Sequence, residues 1–184
     1  MRRFLQRIPN ALTAFRMVII PVFVATFFFD NKAASQFAAL LFVIACITDF
    51  FDGYLARLWR VQSSLGRFLD PIADKLLVAA ALIMLLYQGK ADVIPALLII
   101  SREILVSGLR EYLAELKVPL PVSTLGKWKT GIQMGALLLL ILGERATGLE
   151  LTEWLGRIAL WISAGITVYS GYAYLKAGLK HIDF

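Results

Sequence analysis

Apolar positions fall into six blocks of about twenty residues, at 9–29, 34–58, 68–88, 92–113, 125–143 and 156–176. A helix rises about 1.5 Å per residue, so a block of this length crosses the hydrocarbon of a bilayer. Short polar or turn-forming stretches separate the blocks: Asp30-Asn31-Lys32, Gln88-Gly89-Lys90, Pro119-Leu120-Pro121 and Gly143-Glu144-Arg145. Backbone amides and carbonyls find no partners in lipid, so each block must satisfy its own, and a helix does that. The pattern predicts an all-α, polytopic membrane protein with six transmembrane helices in a single domain over 1–184. Residues 1–8 mix basic and large apolar side chains. They predict a short amphipathic helix along the headgroups, ending at Pro9.

Composition agrees with the pattern. The chain is 59% hydrophobic with a mean hydropathy of +0.74, too apolar for a soluble domain of 184 residues. The formal net charge of +6 therefore reads as basic loops against anionic headgroups rather than as a nucleic-acid surface. Arg16 interrupts the first apolar run, which is long enough to span, so Met1-Arg2-Arg3 opens an uncleaved helix rather than a signal peptide. Cys46 is the single cysteine and sits in an apolar run, which excludes an intrachain disulfide and argues against a reactive thiol.

Lysines and arginines orient the bundle. One side receives Arg2, Arg3, Arg7, Arg57, Arg60, Arg67, Arg110, Lys117, Lys127, Lys129, Lys176 and Lys180; the other receives Lys32, Lys90, Arg145 and Arg157. Six helices with both termini in the cytoplasm satisfy this asymmetry. Phe27-Phe28-Phe29 and Trp154 with Trp161 read as interface belts and lipid-facing surface, and His181 as a solvated side chain.

Against this background the acids stand out. Asp49 and Asp52 are three residues apart near the cytoplasmic end of the second block, and Asp70 and Asp74 are four apart at the start of the third. Each pair shares a helix face. The short 59–65 connection predicts antiparallel neighbouring helices, so the two pairs converge. Gathered carboxylates repel and protonate unless cations intervene. Hard oxygen ligands suit Mg²⁺, with Mn²⁺ as an alternative, and two such ions clamp a displacement at phosphorus. Gly53 and Ala56 leave room for a ligand beside the acids or serve close helix packing, and Gly66 does the same or turns the chain. A cation carrier would also use intramembrane acids, but it would need polar residues continuing to the outer side, and the second and third blocks offer almost none.

The spacing D-x2-D-G-x2-A-R-x8-G-x3-D-x3-D over residues 49–74 resembles the signature of the CDP-alcohol phosphotransferase family at every fixed position. The six-helix plan extends the likeness over nearly the whole chain. Members move a phosphatidyl group from a CDP-linked lipid onto an alcohol and release CMP. The resemblance implies that Asp49, Asp52 and Asp70 are ligands of two metal ions, and that Asp74 is both ligand and general base. It places Asp49, Gly53, Ala56 and Arg57 in the nucleotide and diphosphate pocket, joined by Gly66 and by Asn10, Thr13 and Arg16 of the first helix. Arg16 either reaches the diphosphate or snorkels to the interface. The likeness also implies a homodimer in a bacterial inner membrane, with the active site facing the cytoplasm.

The segments Asn10–Arg16, Asp70–Lys75, Ser101–Arg110 and Gly126–Thr130 resemble the bacterial branch of the family whose acceptor is sn-glycerol 3-phosphate. Inositol phosphate, serine and phosphatidylglycerol are the alternative acceptors. A dianionic acceptor needs positive charge beyond what the metals use. Arg110, Lys127 and Lys129 are the candidates for its phosphate, with Arg102 and Glu103 as buried support; the positive-inside bias explains the two lysines equally well. Lys75 follows Asp74 and points elsewhere on its helix. The acyl chains of CDP-diacylglycerol must leave sideways through a groove between helices that sequence alone does not identify.

Overall fold

The computed structural model describes residues 2–58, 64–116 and 124–178; within them, the side chains of 2–10, 52, 53, 55–58, 64–68, 70, 71, 124–127, 177 and 178 fall outside the description. The predicted Asn10, Asp52, Gly53, Ala56, Arg57, Gly66, Asp70, Lys127 and His181 thus lie outside the described side chains. Six helices follow in order: α1 (Arg2–Thr26), α2 (Lys32–Leu58), α3 (Ser64–Tyr87), α4 (Val93–Glu115), α5 (Thr124–Thr147) and α6 (Glu150–Gly178). Each overlaps one apolar block, four of them to within a few residues at both ends, while α1 and α6 begin well before theirs. The amphipathic N-terminal segment is not a separate helix ending at Pro9; it continues without a break into α1. Proline removes one backbone hydrogen bond, but the amides on either side keep theirs and carry the helix through.

The helices close into a ring in the order α1, α2, α5, α6, α4, α3. α1 packs on both α2 and α3, and α2 and α3 themselves barely touch. The expected face-to-face pairing of α2 and α3 is therefore replaced by a wedge of α1 between them. The core comprises Phe23, Phe42, Leu82, Leu85, Ile99, Leu137, Leu140, Ile141 and Leu160, all almost fully buried. Phe23 anchors it, meeting Phe27 edge-on at 5.0 Å and Phe42 at 6.1 Å between ring centroids. Phe27 is thus a core residue, whereas Phe28, Phe29, Trp154 and Trp161 face outward as the belt reading expected.

Large apolar side chains also cover the outside of the bundle, among them Val18, Leu40, Ile83, Leu97, Ile104, Ile158 and Ile162. A surface of this kind suits lipid better than water. Two helical stretches, Lys32–Phe51 and Glu150–Lys176, are long and apolar enough to cross a membrane by length and composition.

The turns α1–α2, α3–α4 and α5–α6 meet at one end of the bundle, where a polar network ties them. Arg145 pairs with Asp30, and Arg157 reaches Asp92 at 3.5 Å and Glu153 at 3.4 Å. Trp161 donates its Nε1–H to Asp92 at 2.8 Å. Lys90 is buried here against Gly143, whose φ of 56° interrupts α5; a Cβ at that glycine would lie 3.1 Å from the Lys90 Nζ. Burial, helped by Arg145, lowers the Lys90 pKa against the opposing pull of Glu153 and Asp30. The charged lysine therefore costs stability at neutral pH, and that cost fades as pH rises towards the ordinary lysine value.

Candidate active site

The opposite end of the bundle holds a cavity of about 910 Å³ lined by all six helices. Its walls divide by charge. On one side Asp49 of α2 and Asp74 of α3 converge on Arg16 of α1, whose Nη1 lies 2.6 Å from an oxygen of each. Arg16 is fully buried, so it does not snorkel, and the two carboxylates remain roughly half open to the cavity, at 41% and 46% exposure. The wedge of α1 explains the arrangement. α2 and α3 make few contacts of their own, and a single nitrogen of Arg16, on the intervening α1, draws Asp49 and Asp74 together. Thr13, one turn back along α1, is buried and lies off the cavity wall.

On the other side stands a basic cluster. Lys129 of α5 pairs with Glu103 of α4, and Arg102 Nη1 lies 3.6 Å from the same carboxylate. Arg102 also donates to Ser170 of α6 at 3.3 Å. Arg110 donates to the Tyr174 hydroxyl at 3.0 Å and lies 5.1 Å from that ring's centroid; Arg102 is 6.0 Å from it on α6's flank. The close approach of α4 and α6 depends on Gly171, where a Cβ would fall 2.9 Å from the Arg102 Cγ. Glu103, Ser107 and Arg110 do share one face of α4, as their spacing predicted, and all three line the cavity.

Lys75 departs from expectation. It lines the cavity and its ammonium contacts Ser107 of α4, so it belongs to the basic wall. A position adjacent to Asp74 is about 100° round the helix, and only the placement of α4 turns that direction into part of the site. Gln133 was also missed. It is buried on the cavity wall, one turn after Lys129 on the same face of α5, a spacing that was legible in advance.

The two carboxylates converge on Arg16, and their oxygens are of the hard type that suits a divalent cation. Among the described residues no third acid, histidine or cysteine joins them. Asp52 and Asp70, three and four residues from Asp49 and Asp74, lie outside the described side chains. The cavity thus pairs an acidic, oxygen-rich pole with a pole of four cations, Lys75, Arg102, Arg110 and Lys129, tempered by Glu103 and Glu111.

A second, apolar cavity of about 440 Å³ opens between α2 and α5, lined by Phe42, Ile47, Phe51, Gly135 and Leu138. Cys46, Phe50 and Met134 line both cavities, so the two are contiguous. Cys46 is half-buried with its Sγ 4.0 Å from the Met134 Sδ.

Comparison with known proteins gives this arrangement its context. Residues 6–169 match the family model for CDP-alcohol phosphatidyltransferase. A Rickettsia bellii protein is 51% identical over 176 residues, covering 96% of this chain and 97% of its own. One from Rickettsia prowazekii is 52% identical over 172 residues, covering 94% and 95%. One from Pectobacterium atrosepticum is 42% identical over 174 residues, covering 92% and 93%. All three are named CDP-diacylglycerol–glycerol-3-phosphate 3-phosphatidyltransferase. The 49–74 signature, the six-helix ring and a family match over most of the length agree, and the chain belongs to the CDP-alcohol phosphatidyltransferase family.

Proposed function

We propose that this chain transfers the phosphatidyl group of CDP-diacylglycerol to sn-glycerol 3-phosphate, giving phosphatidylglycerol phosphate and CMP. The observation that carries this reading is the two-pole cavity, with acids gathered on Arg16 across from a cluster of cations that runs from the buried Lys129 to the exposed Arg110. An ionised acceptor phosphate belongs at the basic pole, where Arg110, Lys127 and Lys129 hold it and Arg102 and Glu103 fix their positions. That leaves the acceptor's 1-hydroxyl directed to the acidic pole.

Asp74 takes the hydroxyl proton as the oxygen attacks the phosphorus nearer the diacylglycerol. The new P–O bond forms, the bond to the CMP oxygen breaks, and CMP leaves with the electron pair. Asp49, Asp52, Asp70 and Asp74 would hold two Mg²⁺ ions, or Mn²⁺, which supply neutralisation of the diphosphate charge when bound. Arg16 keeps Asp49 and Asp74 in register from behind. Gly53, Ala56, Arg57 and Gly66, with Asn10 and Thr13, accompany the nucleotide end of the lipid substrate.

The acyl chains leave through the α2–α5 cavity, which is apolar and contiguous with the reacting site. Gly135 has open space where a Cβ would go, so Gly135→Leu fills the groove without disturbing its neighbours. The expected result is a severalfold higher KM for long-chain CDP-diacylglycerol, an unchanged KM for glycerol 3-phosphate, and little effect with a short-chain lipid. Equal effects on long and short chains would place the acyl groove elsewhere.

The charge asymmetry of the loops supports six membrane spans with both termini and the active site on the cytoplasmic side of a bacterial inner membrane. Homodimerisation rests on the family resemblance. The reaction is tested by CMP release from CDP-diacylglycerol and Mg²⁺ with purified protein and a panel of alcohols. Glycerol 3-phosphate should exceed inositol phosphate, serine and phosphatidylglycerol by roughly tenfold or more. Preference for another member of the panel would reassign the acceptor.

A further inference from the structure

Beside the acceptor-phosphate cluster stands a polar side chain whose acceptor atom the cluster does not satisfy. Gln133 is 3% exposed, and its side-chain Oε1 is buried without a hydrogen-bond partner. Buried carbonyl oxygens in this state are rare because they forfeit solvation with nothing in return. The residue stands on the wall of the catalytic cavity, four positions and so about 6 Å along α5 from Lys129.

We propose that Gln133 binds the 2-hydroxyl of the acceptor glycerol phosphate and so selects for it. This rests on the acceptor reading above. The orphan oxygen needs a donor, and ionised phosphates offer only acceptors. Of the two hydroxyls of glycerol 3-phosphate, the 1-hydroxyl is engaged with Asp74. The 2-hydroxyl lies between that group and the phosphate held at Lys129. A hydroxyl both donates and accepts, so it satisfies the carboxamide in either rotation about its last bond. The Gln133 end of that hydrogen bond is buried, where an unmatched partner is penalised most.

The test compares glycerol 3-phosphate with 3-hydroxypropyl phosphate, which has the attacking hydroxyl and the phosphate but lacks the 2-hydroxyl. Wild-type protein should prefer glycerol 3-phosphate by about tenfold in kcat/KM. Gln133→Met, similar in volume and without the amide, should lose about that factor with glycerol 3-phosphate and use the two acceptors almost equally. Its KM for CDP-diacylglycerol should stay at the wild-type value, which separates a local effect from misfolding. A wild-type enzyme indifferent to the 2-hydroxyl overturns the proposal without any variant, as does a variant that keeps the full preference. Absence of CMP release with glycerol 3-phosphate in wild-type protein would instead refute the acceptor reading itself.

Discussion

Asp74→Asn is expected to lower kcat by roughly 10³, while CDP-diacylglycerol still binds within a few-fold of wild-type affinity. Asparagine keeps the shape of the side chain and can still bond to Arg16 through its carbonyl oxygen, so the wedge of α1 between α2 and α3 survives. What disappears is the negative charge and, with it, the capacity to accept a proton from the acceptor hydroxyl. A sugar-like alcohol is almost wholly protonated near neutral pH, so without a base its attack is slow whatever else is in place. Asp74 is suited to that work because its carboxylate is held on one oxygen by Arg16 while 46% of the side chain remains open to the cavity. Single-turnover CMP release, measured with titration of nucleotide binding, separates the two effects. Turnover within tenfold of wild type would remove Asp74 as the base.

Arg16→Met should have the next largest effect, with activity down by roughly 100-fold through displacement of the reacting groups. Arg16 is fully buried and touches acids from two helices that scarcely contact each other. Breaking a buried ion pair costs about 3–5 kcal/mol, but both carboxylates here are more than a third exposed and will recruit water, so a stability loss of about 1–3 kcal/mol is the better figure. Arg16→Lys retains the charge yet replaces a planar fork by a shorter point charge, so an intermediate activity is expected. The measurement is a pair of thermal-unfolding midpoints and kcat values in one detergent. A methionine variant with wild-type activity and midpoint would show that α1 does not organise the acids.

Much of this architecture was legible before any coordinates. The six helices appear where six apolar blocks predicted them, because run length and periodicity are properties of each segment by itself. The face shared by Glu103, Ser107 and Arg110 was visible for a similar reason: it depends on the rotation per residue within one helix. The two departures at the site have a common origin. On α3 alone Lys75 points away from Asp74, yet α4 supplies Ser107 on that very side. Nothing local to α1 says whether the flank of Arg16 meets acids or headgroups.

The chain's sequence by itself determined the helical segments, the polar ends of the bundle and the acid signature from Asp49 to Asp74, since all of these follow from hydropathy and from spacing along a single helix. Tertiary structure alone decided that α1 stands between α2 and α3, that Lys129 meets Glu103, that Arg110 rests on Tyr174, and that Gln133 lines one cavity with Asp74 and Arg110. Those contacts join residues far apart in the chain. They are chosen by which helix faces pack best against one another, a property of the whole bundle that no local window contains.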